Sequence, residues 1–303
     1  MQALWMVAAS FIFALMGVCV KFASAHYSAT ELVCYRGIVS VIFVWVWARS
    51  TGVSLGTRLP GMHAWRSLIG VVSLGGWFYA IGHLPLATAM TLNYMRSVWV
   101  AAFVVGGAML YGQVAPQGDK SQKKSALNQG PLLATVLAGF AGVVMVLRPA
   151  FDQNQQWPGL VGLLSGMTAA LAYIQVTALS RAGEPEARVV FYFAVASALL
   201  GAVGMLFTGA SAWQWPQALW ILPIGILASL GQLCMTRAYA SGATLTVASL
   251  QYSGIVFGAL ASLVVFNDQL PPIAWAGIAV IIASGLAATA LRKRVLPDAP
   301  HDE

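Results

Sequence analysis

The sequence predicts an all-α integral membrane protein with about ten transmembrane helices arranged as two inverted five-helix repeats. Three observations support this fold class. Of the 303 residues, 59% are hydrophobic and only 8% are charged, and the mean hydropathy is +0.77, far above that of chains with a polar surface. The apolar residues fall in about ten runs long enough to cross a bilayer. Matching segments recur in the two halves of the chain.

Each apolar run has roughly the 20 residues that a helix needs to cross the hydrocarbon core. The runs are continuously apolar, which excludes the alternating strands of a membrane β-barrel. In chain order the predicted spans are 3–22, 31–48, 64–83, 86–111, 130–148, 159–180, 188–209, 217–240, 243–266 and 272–291. The first run lacks a basic leading segment, and Lys21 interrupts it before Ala23-Ser24-Ala25, so we expect a retained helix rather than a cleaved signal.

The basic residues predict how these helices are oriented. With the N-terminus inside, the cytoplasmic segments collect most of them, Arg66 included, whereas the opposite side has chiefly Lys21, Arg36 and Arg148. This positive-inside bias indicates an inner-membrane protein with both termini in the cytoplasm. The net charge of +7 therefore reflects topology. We expect the bilayer and a small-molecule substrate as partners, no nucleic acid, and a monomer or homodimer.

The two halves share a weak sequence echo. LATAMTLNYMRSVW at 86–99 matches TLTVASLQYSGIVF at 244–257, displaced by 158 residues. This alignment pairs Asn93 with Gln251 and Tyr94 with Tyr252. Five helices per half would invert the second repeat relative to the first, an architecture used for alternating access around a midplane site.

The duplication predicts where the chain divides. We assign residues 1–148 to the first repeat, which includes a basic cytoplasmic loop at 112–129, residues 149–291 to the second repeat, and residues 292–303 to a cytoplasmic tail. The loop is rich in Gln, Ser and Lys, which is typical of a flexible solvated linker.

Ten spans, a five-helix duplication, the tight link IGHLPLATAMTLNY and its counterpart AYASGATLTVASLQY resemble the EamA-type branch of the drug/metabolite transporter superfamily. The resemblance covers essentially the whole chain and implies a secondary transporter, more often an exporter than an importer. This sequence departs from the family pattern at two kinds of position. Proline is common where it has Arg96-Ser97 and Gly254-Ile255, and Gly-Glu is common where it has Gly112-Gln113 and Asn267-Asp268. At the first kind of position, Arg96 puts a charge where the resemblance implies the central cavity.

Arg96 is the most unusual of the candidate functional residues. It lies about ten residues, or about 15 Å, into its predicted span, which is close to the bilayer centre. A central arginine costs roughly 2.5–3.5 kcal/mol on insertion scales, so it should face the bundle interior or a wet cavity. Its fixed positive charge and planar guanidinium suit a carboxylate or phosphate of the substrate. The alternative is a structural arginine satisfied by backbone carbonyls or by a broken helix.

The surroundings of Arg96 supply further candidates. Asn93 projects from the same helical face, and the second repeat offers Gln251 and Gly254 at the equivalent face, a polar amide and an open backbone opposite the arginine. Amides can bind polar groups, and aromatic faces can sandwich an aromatic or cationic moiety. The predicted substrate-binding residues are Arg96, Asn93, Tyr94, Gln251, Tyr252, Gln175, Gln232 and Trp77. Helix packing is the alternative for the small and aromatic residues.

Glu31 and Arg36 open the second span and are candidates for an outer gate, with ion pairing near the lipid headgroups as the alternative. The sequence has no H-E-x-x-H, no P-loop and no paired carboxylates, so we expect neither an enzyme nor a metal or cofactor. No acidic residue falls at the predicted midplane, which argues against coupling through a buried carboxylate.

Together these features predict a carrier that moves a small organic metabolite by alternating access. The substrate would bear a carboxylate or phosphate and an apolar part, as an amino-acid derivative does. One alternative is a translocator of a lipid-linked phosphate carrier, in which Arg96 binds the phosphate through a laterally open groove. Another is a membrane-bound transferase, which would need polar catalytic residues at one interface. A closed central cavity would favour the soluble metabolite.

Overall fold

Helices form every regular element in the part of the chain that the structure describes. A computed structural model describes residues 2–96, 98–99, 102–103, 130–152, 155–241 and 250–295. The main helices are α1 Gln2–Ala23, α2 Ala29–Ser50, α3 Pro60–His83, α4 Leu86–Tyr94, α5 Gly130–Asp152, α6 Gln156–Arg181, α7 Glu186–Thr208, α8 Ile221–Ser241, α9 Ser253–Phe266 and α10 Pro272–Val295. A four-residue helix, Trp215–Ala218, precedes α8. The predicted all-α fold is confirmed, while the basic loop 112–129 and residues 296–303 lie outside the described residues.

The helices have the length and surface of membrane spans. Among the residues that the structure describes, five segments are long and apolar enough to cross a bilayer, namely Leu4–Ala23, Ala29–Ser50, Gln156–Arg181, Glu186–Thr208 and Trp215–Ala240. Large apolar side chains point outward from the bundle, and Leu206, Phe207 and Val264 expose 82%, 86% and 81% of their surface. Such a surface is unfavourable in water but is matched by lipid tails. The protein is therefore a multi-pass membrane protein.

The packing pattern is unchanged when the first five helices are exchanged with the last five. Helix α1 packs on α8, and in the same way α6 packs on α3. The contact of α2 with α8 likewise maps onto that of α7 with α3, and the contacts of α2 with α7, α4 with α9 and α5 with α10 each map onto themselves. A duplicated and inverted five-helix unit produces this kind of exchange symmetry. It supports the division at residue 148, which stays a prediction.

Helices α2 and α7 approach until their backbones touch at glycines. A Cβ on Gly37 would overlap the backbone of Ala198, and a Cβ on Gly201 would overlap the backbone of Cys34. Between helices in lipid there is little hydrophobic driving force, so close van der Waals contact at small residues takes its place. This pair holds the two halves together along its length.

Helix α4 is interrupted in the middle of the predicted span. It ends at Tyr94, and the Met95 amide donates to the carbonyl of Leu92 at 3.4 Å, only three residues back. Helical geometry resumes at Arg96, and the amide of Val98 donates to the carbonyl of Met95 at 2.9 Å. The expectation of one continuous helix over 86–111 is therefore wrong.

The second repeat is interrupted at the equivalent place. Gln251 and Tyr252 form a turn, and α9 begins at Ser253. The amide of Gly254 donates to the carbonyl of Gln251 at 3.0 Å, again three residues back. Within the described residues 250–266, the predicted span 243–266 is therefore not one continuous helix. The two breaks coincide in the 158-residue alignment, since Tyr94 is paired with Tyr252.

Candidate substrate-binding site

A cavity of ≈ 50 Å³ lies beside the break in α4. Its walls come from α1, α3, α6, α7 and α8 as well as from the α4 segment, so both repeats contribute. It is large enough for a few water molecules but smaller than the roughly 300–1,000 Å³ typical of small-molecule pockets. The cavity is therefore contracted in this conformation.

Arg96 lies on the wall of this cavity with only 6% of its surface exposed. Its guanidinium carbon Cζ lies 4.4 Å from the centre of the Tyr94 ring and 4.1 Å from the centre of the Tyr173 ring. Contact between a cation and an aromatic face is favourable, and more so where water is excluded. The two phenol rings thus hold the arginine in place without cancelling its charge.

Gln251 joins the second repeat to Arg96. Its Oε1 accepts a hydrogen bond from Arg96 Nε at 2.9 Å and one from the Tyr239 hydroxyl at 3.4 Å. Its backbone carbonyl accepts from the Ser10 hydroxyl at 3.4 Å. The structure therefore brings together the amide and the arginine that the sequence placed on opposing faces. Gln251 is itself buried, with 2% exposure.

The space facing Gly254 is filled by a protein side chain. A Cβ on Gly254 would overlap the ring of Tyr94, and a Cβ on Gly285 would overlap the ring of Tyr252. The prediction of an open backbone opposite Arg96 is therefore wrong, because the phenol before the break covers it. Both tyrosines are buried, with 2% and 3% exposure, and Tyr94 also lines the cavity.

Asn93 lines the cavity and is tied to α6. Its Nδ2 donates to the Ser165 hydroxyl at 3.2 Å, and Ser165 also accepts through its backbone carbonyl from the Ser73 hydroxyl at 2.8 Å. A Cβ on Gly166 would overlap the carbonyl of Leu92. The last turn of α4 is thus packed directly against α6, and Asn93 is held in one orientation.

Arg66 is a cavity residue that the sequence analysis assigned to the cytoplasmic side. It is only 3% exposed and lines the same cavity as Arg96. Its Nη2 donates to Oε1 of Gln232 at 3.3 Å, and its Cζ lies 3.9 Å from the centre of the Phe193 ring. The assignment of Arg66 to the cytoplasmic segments is therefore corrected. The charge pattern alone treats every basic residue near a helix end as a sign of topology.

A spacing signal could have identified Arg66. Arg66, Gly70, Ser73 and Trp77 recur at four, three and four residues along α3, so they share a helical face, and all four line the cavity. A Cβ on Gly70 would come within 2.9 Å of both Arg66 Nη1 and Phe193 Cε2. The glycine therefore makes room for the guanidinium and the ring that supports it.

Arg36, predicted as part of an outer gate, is buried inside the bundle. It is 2% exposed, and its Cζ lies 5.0 Å from the centre of the Phe193 ring. Phe193 therefore contacts two guanidinium groups, those of Arg36 and Arg66. A position among buried helices does not fit a gate at the lipid headgroups.

Glu31, the other gate candidate, is engaged at the start of α2. Its carboxylate accepts from the backbone amide of Ser28 at 2.8 Å in a capping box. It also accepts from the amide and hydroxyl of Ser211, at 2.7 and 2.9 Å. No ion pair joins Glu31 to Arg36 in the described residues. Glu31 ties the loop after α7 to the start of α2.

The remaining candidates differ in position. Trp77 lines the cavity at 7% exposure, and its indole Nε1 finds no acceptor among the described atoms. Gln232 also lines the cavity and is the acceptor for Arg66. Gln175 is half-buried and does not belong to the cavity lining. Tyr252 is packed behind the site, against Gly285.

A polar cluster of Thr57, His63, Glu184 and Arg188, the Glu184 cluster, joins the two halves outside the cavity. Glu184 accepts from Thr57 Oγ1 at 2.9 Å and from Arg188 Nη1 at 3.1 Å, and its Oε2 lies 3.0 Å from His63 Nε2. Burial alone would raise the pKa of the Glu184 carboxyl. The hydrogen bonds from its three partners and the charge of Arg188 outweigh burial, and they hold that pKa below its usual value.

The chain is similar in sequence to known membrane transporters. The model of the EamA-like transporter family matches residues 156–289, which contain α6 to α9 and most of α10. The pseudopaline exporter of Pseudomonas aeruginosa strain UCBPP-PA14 is 31% identical over 291 residues, covering 95% of each chain. The riboflavin transporter of Vibrio cholerae is 24% identical over 290 residues, covering 93% of this chain and 90% of the transporter.

A solved crystal structure is similar in fold. It superposes with a TM-score of 0.62 at 19% identity and covers 96% of this chain and 98% of its own. At that identity the likeness shows the fold alone. The sequence relatives carry the family assignment because they match the chain nearly end to end. The chain therefore belongs to the EamA-like transporter family, and it is a membrane transporter rather than an enzyme.

Proposed function

We propose that the protein is a secondary transporter for a small organic metabolite that bears a carboxylate or phosphate and an apolar part. Arg96 binds the anionic group in the central cavity, and Asn93, Tyr94, Gln251, Gln232 and Trp77 surround the rest of the substrate. The two repeats expose this cavity alternately to the two sides of the membrane. The proposed substrate class includes amino-acid derivatives.

The observation that carries this proposal is a buried arginine with neutral partners. Arg96 contacts an amide and two phenol rings, none of which removes its positive charge. An arginine does not deprotonate at any physiological pH, and a buried charge without a counter-charge is costly. An anion in the cavity would supply the missing charge and a planar, two-point contact.

The size of the cavity supports alternating access. Its volume of ≈ 50 Å³ is too small for the proposed substrate, so binding requires the walls to move apart. The turn at Met95 lies between two residues that line the cavity, Tyr94 and Arg96, and transporters use such broken helices at the midplane. The second turn, at Gln251–Tyr252, is linked to the site by the hydrogen bond from Arg96 to Gln251. A shift of either half-helix would widen the cavity.

The relatives support an organic metabolite and suggest a direction. The relative from Pseudomonas is named an exporter of pseudopaline and the one from Vibrio a transporter of riboflavin. We propose efflux across the inner membrane. The distribution of basic residues supports cytoplasmic termini, with residues 1–148 and 149–291 as the two repeats.

Transport of a lipid-linked phosphate, the alternative, would need a groove that opens from Arg96 to the lipid. Two lateral grooves of ≈ 380 and ≈ 400 Å³ occur in the described structure, one beside Gly76 and the other beside Ile42. Neither groove has a charged residue in its lining. This favours a soluble metabolite over a lipid phosphate.

Transport into membrane vesicles tests the proposed role of Arg96. Right-side-out and inside-out vesicles are supplied with labelled N-acyl amino acids and sugar phosphates, zwitterionic amino acids, polyamines and a short-chain isoprenoid phosphate. We expect uptake of a soluble anion, about 10-fold or more slower in Arg96→Ala and partly retained in Arg96→Lys, since each 1.4 kcal/mol of lost binding is a factor of ten. Faster uptake into inside-out vesicles would support efflux.

Arg49→Ala is the matched control, because Arg49 also lies over an aromatic ring, 5.3 Å from the centre of Trp45, but is exposed. It should transport like the wild type. Equal transport of anions by the wild type, Arg96→Ala and Arg96→Lys would refute the role of Arg96. Transport of the isoprenoid phosphate alone would favour the lipid alternative.

A further inference from the structure

We propose that Arg66 forms a second anion-binding subsite in the same cavity, so that the substrate carries two anionic groups rather than one. This inference rests on the proposed function of Arg96 and extends it to the charge and shape of the substrate. The first anionic group would bind at Arg96, and the second at Arg66. The substrate is thus a dicarboxylate, or a carboxylate with a phosphate, around an apolar middle.

Arg66 has unused hydrogen-bonding capacity. It is 97% buried and donates through Nη2 to the neutral amide of Gln232 at 3.3 Å. Its Nε and Nη1 are buried and have no acceptor among the residues that the structure describes. Leaving a donor of a charged group unsatisfied is costly. A ligand oxygen in the cavity would satisfy these donors.

Arg36 increases the local positive charge. The ring centre of Phe193 lies 5.0 Å from the Cζ of Arg36 and 3.9 Å from the Cζ of Arg66. Nε and Nη1 of Arg36 also have no acceptor within the described ranges. Each cation is favoured by the ring face, but two like charges on one ring repel each other. A negative group beside Arg66 would relieve that repulsion.

Three carboxylates in the described part of the chain are engaged away from the cavity. Glu31 is bonded to Ser28 and Ser211, Glu184 belongs to the Glu184 cluster, and Asp268 accepts from the Ser262 hydroxyl at 2.6 Å. The ion pairs found in the described part of the chain all involve Glu184. A monoanionic substrate would balance one of the buried guanidinium groups on the cavity wall, whereas a dianion would balance both.

A neutral donor lies farther along the same cavity wall. Trp77 is three turns from Arg66 on the cavity face of α3, about 16 Å along the helix axis, and its indole N–H has no acceptor within the described structure. Gly70, between them, leaves room for the Arg66 guanidinium. One carboxylate cannot span that distance, so the second anionic group would contact Arg66, and the indole would donate to another polar atom of the substrate.

The experiment compares dianions with their monoamides, which have nearly the same shape. The full chain is purified in detergent, and dissociation constants are measured for N-acetylglutamate and N-acetylglutamine, N-acetylaspartate and N-acetylasparagine, and phenylsuccinate and its monoamide. For the wild type we expect at least one dianion to bind 10-fold or more tightly than its monoamide. In Arg66→Gln we expect this ratio to fall below 3-fold.

Two further variants separate the two subsites. Arg66→Lys keeps the charge and should retain part of the preference, which also shows that position 66 tolerates substitution. Arg96→Gln should weaken binding of both members of each pair, and the control Arg49→Ala should change the binding of neither.

If Arg96→Gln weakens binding but Arg66→Gln leaves the ratio as in the wild type, the second subsite is refuted and the proposed function stands. If Arg96→Gln has no effect on any anion, the proposed function fails as well. A wild type without preference for any dianion also overturns the inference.

Discussion

At the scale of single residues, the site depends on pairs that are far apart in the sequence. Arg96 bonds to Gln251, and Arg66 bonds to Gln232. The internal echo predicted the first pair, because it aligned the polar faces of two equivalent helices. It could not predict the second, because no repeated motif surrounds Arg66, and the partner is 166 residues away. Only the shared face of Arg66 and Trp77 on α3 gave a hint.

The contacts of Tyr94 could not be predicted from the sequence. Its ring fills the space over Gly254 and supports the guanidinium of Arg96. A Cβ at Gly254 would displace that ring. No proline or glycine stands beside the break at Met95, so the local sequence did not predict it.

Gly254→Ala tests this packing. We expect it to lower the free energy of unfolding by about 1–3 kcal/mol, as overpacking of a core does, and to slow anion transport because Tyr94 and Arg96 shift together. Thermal unfolding in detergent and vesicle uptake measure the two effects. Gly75→Ala is the control, since a Cβ there meets nothing within 4 Å. Equal behaviour of the two variants would contradict the role given to Tyr94.

At the scale of elements, the helices follow from the apolar runs, but their interruptions do not. The ends of α2 and α3, for example, lie within a few residues of the predicted spans 31–48 and 64–83. Such ends follow from local composition, where polar residues and a proline bound the apolar run. The turns at Met95 and at Gln251–Tyr252 lie inside apolar runs, so composition gave no signal for either break.

Loop contacts join elements of different repeats at the Glu184 cluster. Thr57 and His63 come from the start of α3 and the loop before it, whereas Glu184 and Arg188 come from the α6–α7 connection and the start of α7. Arg188 also donates to the carbonyl of Ser54 at 2.8 Å. The cluster therefore holds one end of α3 against α7.

The stability of the protein should fall in acid because of Glu184. Its folded-state pKa lies below the usual value, so the carboxylate contributes stability that is complete above the ordinary pKa of about 4.3 and is lost as the pH falls through the lower, folded-state pKa. Glu184→Gln should lower stability at pH 7 by about 1–3 kcal/mol and remove this part of the acid dependence.

Thermal unfolding in detergent from pH 7 to pH 3 measures the difference between the wild type and Glu184→Gln. The two curves should converge toward the acid end. Glu186→Gln controls for the loss of one negative charge at the start of α7. A difference between wild type and Glu184→Gln that stays constant with pH, or grows in acid, would contradict the assignment.

At the scale of the whole molecule, the packing is symmetric under exchange of the two halves, and the cavity lies where both halves meet. The sequence echo predicted this architecture from few residues, because a duplication fixes the order of all ten helices once it is recognised. The proposed charge of the substrate follows from the burial of Arg36, Arg66 and Arg96 in the assembled bundle. Two of these lay in segments that the charge pattern had assigned to the membrane surface.

The most direct test of the central claim is the accessibility of the cavity from both sides of the membrane. Ser73→Cys, on the cavity wall, is made in a protein whose native cysteines, Cys19, Cys34 and Cys234, are replaced by alanine. A membrane-impermeant thiol reagent is applied to right-side-out and to inside-out vesicles, with and without the anion that the vesicles transport best. Val72→Cys, one residue earlier and 59% exposed on the outer surface of the bundle, is the control.

We expect the reagent to modify the cysteine at position 73 from both sides of the membrane. The anion should slow that modification several-fold when Arg96 is present, but not when the Arg96→Gln substitution is added. The control at position 72 should show no protection by the anion. Modification of position 73 from one side only, or at the same rate with and without the anion, would contradict an alternating-access cavity in which Arg96 binds the substrate.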